Sequence, residues 1–192
     1  MPKTAYYTLS DRFVEACHSG TPGVVRFIDD MQGKFSAGMK EICHERLMLE
    51  IGYAKEHVIR LNCHRDSTLS ESEEQERSAL SDLAYFQILE YLEGKRQIFD
   101  FPYQMIGTEF QKRVWQKLCE IPYGETRTYK EIAEALGKPS AGRAVGMACS
   151  KNPIWIAVPC HRVIGAGGSL TGYAGGLDMK RALLQLEQEG IS

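Results

Sequence analysis

Cys160 and His161 stand side by side in Pro159-Cys160-His161-Arg162-Val163, directly after the apolar run Ile154–Val158. The thiolate is the reactive form of cysteine, and an imidazole within reach can take the thiol proton. The pairing therefore predicts a sulfur nucleophile at Cys160 with a lowered pKa. Adjacency alone is a weak signal, because Cys17-His18, Cys43-His44 and Cys63-His64 repeat it. Thiolate and imidazole are also zinc ligands, but the spacings match no closed zinc motif, and no metal is expected. The six cysteines form no Cys-x-x-Cys pair, which suits free thiols in a reducing compartment.

Helices must carry this nucleophile. Thr108 caps an expected helix in which Phe110, Val114 and Leu118 share a face bordered by Trp115. Ile121-Pro122-Tyr123-Gly124 ends it in a turn. Thr128 caps a second helix over 129–136, Gly137 to Ser140 break the chain, and Ser140 is placed to cap a third over 141–150. Two short helices around a glycine turn form a helix-turn-helix pattern. In the third helix Ala141, Gly142, Ala144, Gly146 and Ala148 are small, and Arg143 is the one charge. Small residues let a backbone approach a surface closely, whether that surface is DNA or another helix. Asn152-Pro153 then leads into Ile154–Val158, which reads as a buried strand ending at the cysteine.

The front half reads differently. Leu47, Leu49 and Ile51 alternate with Met48 and Glu50, and Val58–Leu61 follows, so two strands joined near Gly52–Glu56 are expected. The Ser/Glu-rich stretch 66–76 reads as an exposed connection. Leu80, Leu83, Ala84, Ile88 and Leu92 mark one side of a helix ending near Gly94, and Ile98–Pro102 reads as extended. Residues 1–45 carry no clear pattern beyond short apolar runs cut by glycines.

Hydrophobic residues make up 43% and charged residues 25% of the 192, which is globular composition. No apolar stretch is long enough to span a bilayer and the N-terminus lacks a signal-peptide core, so a soluble cytoplasmic protein with no membrane partner is expected, nuclear in a eukaryote. Residues 1–100 hold 12 Lys+Arg against 17 Asp+Glu, and residues 101–192 hold 11 against 8. Any DNA contact is therefore expected in the second half.

The second half resembles the O6-alkylguanine-DNA alkyltransferases. The matching stretches are Gly107–Gln111, Val114-Trp115, Ile121–Thr126, Tyr129–Ala133, Arg143–Gly146, Asn152-Pro153, Pro159–Val163, Gly172-Tyr173, Gly175-Gly176 and Lys180, in order between about Tyr91 and Glu187. The resemblance implies an α/β protein: an N-terminal α/β domain with a small sheet over 1–104, and a winged helix-turn-helix-like domain over 105–192 that binds DNA and reacts. It implies a reacting set of Cys160 as alkyl acceptor, His161 as proton acceptor, Glu187 orienting His161, and Tyr129 donating to the departing guanine. Arg143 would fill the duplex, with Ala141, Gly142, Ala144 and Gly146 against the minor groove. Asn152, Pro159, Tyr173, Ala174 and Lys180 would form or brace the substrate pocket. The expected partner is double-stranded DNA carrying O6-alkylguanine, with O4-methylthymine as a second substrate, no cofactor, and a monomeric protein. A cysteine hydrolase would instead need an oxyanion hole and would turn over. A helix-turn-helix regulator would bind undamaged DNA in a sequence-specific way. An alkyltransferase-like protein lacks the acceptor cysteine, which is present here.

Overall fold

The computed structural model describes residues 2–9, 13–15, 26–28, 47–65 and 77–190. Three strands form the main sheet: β1 (Lys3–Leu9), β4 (Leu47–Ala54) and β5 (His57–Arg65), in the order β1-β4-β5 and antiparallel throughout. The short strands β2 (Phe13–Glu15) and β3 (Arg26–Ile28) pair with each other. The expected two strands are thus β4 and β5, joined at Lys55-Glu56, with Lys55 in the left-handed region (φ 54°) that a tight hairpin needs. Leu49, Ile51 and Tyr53 alternate into the core, opposite Val58 and Leu61 from β5. The connection 66–76, Cys17, Cys43 and most of residues 1–45 lie outside the described residues.

Helix α1 (Ala79–Leu92) packs on this sheet with Ala84, Ile88 and Leu92 buried. Leu83, expected on the same stripe, is 42% exposed. Ser81 takes the inner place instead, because its hydroxyl closes a capping box with Ser78 and is satisfied there.

The outer edge of β5 is covered by two pieces of distant chain. Val58 N donates to Pro102 O at 2.9 Å and Gln104 N to Val58 O at 2.8 Å. Leu61 N donates to Pro153 O and Trp155 N to Leu61 O, both at 2.8 Å. The extended segment around residues 98–104 and the turn before Cys160 are therefore tied to the same strand, and one buried cluster runs through both halves.

The second half is helical. α2 (Glu109–Cys119) starts at a Thr108–Gln111 capping box and buries Val114, Trp115 and Leu118. Trp115 Nε1 donates to Ala148 O at 2.9 Å, which fixes α2 against α4. Gly107 is required by that ring, since a Cβ there would fall 2.5 Å from it. α3 (Tyr129–Ala135) starts at a Thr128–Glu131 capping box, as expected, and α4 (Gly142–Ser150) follows. Ser140 does not cap α4. The turn closed by Ala141 N to Lys138 O at 2.9 Å moves the start of the helix on by one residue, and no side chain caps it.

Ile154–Val158 is buried but is not a strand. Only Ile154 bridges to β5. The rest turns back on itself, through Ala157 N to Trp155 O at 2.7 Å and Val158 N to Ile154 O at 3.0 Å, with Ile156 at φ 63°. An apolar run reports burial, and burial suits a turn inside the core as well as a strand. Cys160–Arg162 form one 3-10 turn, and β7 (Val163–Ile164) then pairs in parallel with β6 (Arg127–Thr128). The closing helix α5 (Leu177–Glu189), which the sequence pattern does not announce, turns Met179, Lys180, Ala182, Leu183, Leu186 and Glu187 inward. No described helix is long and apolar enough to cross a membrane.

Candidate active site

The turn that carries Cys160 is held by Asn152. Its Nδ2 donates to Val158 O at 2.7 Å and to Cys160 Sγ at 3.3 Å, while its Oδ1 accepts from Ile154 N at 3.0 Å. One amide thus ties both ends of the turn and touches the sulfur. Burial pushes the Cys160 thiol up, against the Asn152 hydrogen bond and the nearby Lys180 charge, which favour thiolate. The lowered thiol pKa expected from the Cys-His pair is therefore reversed. Burial therefore favours the neutral thiol.

His161 is fully buried. Its Nε2 donates to Glu187 Oε1 at 2.7 Å, while Nδ1 has no hydrogen-bond partner among the described residues. Burial keeps the imidazole neutral, with Glu187 pulling the other way. Glu187 is surrounded by donors. Arg162 Nε reaches both carboxylate oxygens at 3.0 Å, Gly124 N donates to Oε2 at 2.9 Å, and the Tyr91 hydroxyl donates to Oε1. Burial alone would raise this carboxyl, but the His161 and Arg162 hydrogen bonds outweigh it and hold it at about 2. The pair is therefore a carboxylate that fixes the Nε2–H tautomer and leaves Nδ1 as the basic nitrogen.

Two cavities meet in front of this group. The outer one, of about 550 Å³, is lined by Tyr129, Gly142, Arg143, Gly146, Ser150 and the loop Thr171–Ala174. The inner one, of about 280 Å³, is lined by Cys160 and Asn152, by Cys149, Ser150 and Trp155, by Tyr173–Gly175, and by Asn62, Cys63 and His64 of β5. Ser150, Tyr173 and Ala174 belong to both. Lys180 lies beneath, its Nζ donating to Val163 O at 2.6 Å and Thr171 O at 3.0 Å. The Tyr129 hydroxyl donates to the same Thr171 carbonyl at 3.2 Å. Arg143 is exposed on α4 and makes no hydrogen bond or ion pair among the described residues.

Residues 109–189 match the family described as 6-O-methylguanine DNA methyltransferase, DNA binding domain. The chain is 60% identical over 105 residues to the methylated-DNA–protein-cysteine methyltransferase of Methanosarcina barkeri, covering 55% of this chain and 66% of that one. The inducible methyltransferase of Bacillus subtilis is 57% identical over 106 residues, 55% of this chain and 59% of its own length. The structure of Mycobacterium tuberculosis OGT in complex with DNA superimposes with a TM-score of 0.66 at 44% identity, over 74% of this chain and 88% of that one. The chain belongs to the O6-methylguanine-DNA methyltransferase family. Its match spans less than two thirds of the two curated relatives.

Within this family frame the expected residues divide into groups. His161 and Glu187 meet through a hydrogen bond, and Asn152 touches the sulfur of Cys160, the residue just before His161. Tyr129, Arg143, Gly142 and Gly146 face the outer cavity, and Tyr173 and Ala174 stand where the two cavities join. Ala144 is exposed on the face of α4 that carries Arg143, and Ala141 precedes that helix. Pro159 lines a third cavity of about 460 Å³ behind the turn, with Phe99, Tyr123 and Arg162. Lys180 supports the loop from below. Tyr91, Arg162 and Gly124 around Glu187 were not expected, nor were Asn62, Cys63 and His64 in the inner wall. Arg162 had a signal, since it lies in the same motif as the cysteine. The others come together only through long-range packing.

Proposed function

We propose that this protein repairs DNA by moving an alkyl group from O6 of guanine to Cys160, once per molecule. The observation that carries the reading is the buried Cys160 thiol, braced by Asn152 and followed by a Glu187-fixed His161, at the wall of a cavity that opens under Arg143 and Tyr129. The names of the relatives support the same chemistry.

An O6-alkyl carbon lies inside the duplex, so the nucleotide must leave the stack, at a cost of about a few kcal/mol that a poorly paired damaged base lowers. The outer cavity admits the base. Arg143, without a hydrogen bond or ion pair to any described residue and exposed on the rim, enters the gap. Glycine at 142 and 146 is not forced by packing, since a Cβ at Gly142 would meet nothing within 4 Å and one at Gly146 only ordinary contact with the Tyr129 ring. This favours close approach to DNA over close helix packing as the reason for the small residues. The base then faces Tyr129, whose hydroxyl leaves the Thr171 carbonyl to donate to the ring.

The thiol proton passes to His161 Nδ1, directly or through water, and Glu187 stabilises the imidazolium. The sulfur attacks the alkyl carbon, the S–C bond forms and the C–O bond breaks. Its electron pair goes to the guanine, which takes a proton from Tyr129 or solvent. The thioether has no leaving route in this site, so the protein is consumed. O4-methylthymine, which also presents an O-alkyl carbon on a flipped base, is a second substrate. The relatives named above are bacterial and archaeal, and the protein acts where their DNA lies, in the cytoplasm.

Mixing with an O6-methylguanine duplex should raise the intact mass by one methyl group, mapped to Cys160, and stop at one equivalent. Multiple turnovers, or a label on Cys149, would overturn the reading.

A further inference from the structure

Tyr91 belongs to the first half of the chain, on α1, yet its hydroxyl reaches the buried carboxylate of the second half. It donates to Glu187 Oε1, the same oxygen that accepts from His161 Nε2, and lies 3.3 Å from that nitrogen. The ring is fully buried, 5.2 Å from Phe99 and edge-on to Tyr123 at 5.9 Å, so the hydroxyl has one direction available to it. A phenylalanine would fill this apolar socket equally well. The hydroxyl, in contrast, is spent entirely on the proton-relay pair.

We infer that Tyr91 is a positioning residue that sets the basicity of His161 through the shared Glu187 oxygen. A carboxylate oxygen that accepts a second hydrogen bond holds its charge more tightly and attracts an imidazolium less. Tyr91 thereby keeps His161 neutral and ready to take the thiol proton near neutral pH. The charged and titratable groups facing the pair are Lys180 from α5, Arg162 from the 3-10 turn, Tyr123 from the loop after α2, and Tyr91 from α1. Tyr91 is the one among them supplied by the first half. The inference rests on the alkyl-transfer reading of the site.

The test is the rate of Cys160 alkylation against pH, with free O6-benzylguanine and, separately, with iodoacetamide. Tyr91→Phe should move the acid limb of both profiles to higher pH. His161 is then protonated more readily, so the rate falls about fivefold at neutral pH and recovers in mild alkali. Affinity for duplex DNA should stay unchanged. Replacing Tyr91 by 3-fluorotyrosine, a stronger donor of nearly the same size, should move the limb to lower pH. That protein keeps the packing and decides the matter even if Tyr91→Phe folds poorly. Profiles that superimpose on wild type, or an equal rate loss at every pH, would overturn the inference. A wild-type protein that reacts with iodoacetamide but takes nothing from the base would instead sink alkyl transfer, and the iodoacetamide profiles would still report on Tyr91.

Discussion

The two halves of the molecule stand toward the Cys160 sulfur in different ways. The second half supplies the thiol, the imidazole, the carboxylate and the asparagine that holds the turn, all within 36 residues of one another, Asn152 to Glu187. The first half supplies a wall: Asn62, Cys63 and His64 along β5 close the inner cavity, and β5 pairs with the residues just before the active-site turn. Among its described residues, Tyr91 reaches the relay with a hydrogen bond. The difference teaches that the chemistry is short-range in sequence while its enclosure is long-range. Burial disfavours the Cys160 thiolate, and the surface that encloses the sulfur comes from both halves. The matched family segment, residues 109–189, lies wholly in the second half.

The largest expected effect tests whether one sulfur carries the chemistry. Cys160→Ser should show no transfer by intact mass. Cys149→Ser, at a neighbouring thiol that burial also pushes up, should keep transfer within about threefold. Equal losses would mean that the inner cavity, not one sulfur, is the reacting unit.

Next comes the separation of base extrusion from chemistry. Arg143→Ala should slow repair of duplex DNA about 100-fold, as expected for about 2–3 kcal/mol of lost support to the opened stack. The same protein should react with free O6-benzylguanine at nearly the wild-type rate. Arg143→Lys should recover only part of the duplex rate, because its ammonium lacks a planar surface. Equal impairment of both reactions would make Arg143 a support of the pocket.

Glu187→Gln carries a smaller but two-sided effect. Transfer should slow about tenfold, since the relay loses its charge. Stability should also change its dependence on acid. The folded carboxyl is held at about 2, below its ordinary 4.5, so its contribution is full above 4.5 and is lost as pH falls from there toward 2. Urea midpoints of wild type should drop across that window, and Glu187→Gln should lose that part of the slope. Parallel slopes would mean that Arg162 and His161 do not hold the carboxylate as the geometry indicates.

The smallest effect belongs to the wall. Cys63→Ala changes volume but removes no group from the relay, so methyl transfer should stay within about twofold. A loss beyond tenfold would show that β5 acts on the sulfur and would dissolve the contrast between the halves.

Much of the second half was legible because its signals are local. Thr108 and Thr128 announce their helices by capping boxes that close within four residues, and the Cys160–His161 motif with Asn152 lies within ten. Ser140 failed as a cap because a single backbone hydrogen bond, from Ala141 to Lys138, outweighed it. Ile154–Val158 was legible as buried but not as a turn, because apolar runs encode environment and not direction.

By itself the sequence marked Cys160 and His161 as the candidate reacting pair and announced the capped helices before them, since such motifs and caps are short-range patterns of residue type. Tertiary structure decided the protonation state of those atoms and their enclosure. Whether Cys160 rests as thiol or thiolate depends on how much water reaches it. That in turn depends on β5, on Trp155 and on the Tyr173 loop, brought together from three separate stretches of the chain. Whether Glu187 is a solvated helix residue or the anchor of His161 depends on Arg162, Gly124 and Tyr91 meeting it inside the core. Desolvation and multi-partner hydrogen bonding are properties of a packed volume, and no spacing along a chain records them.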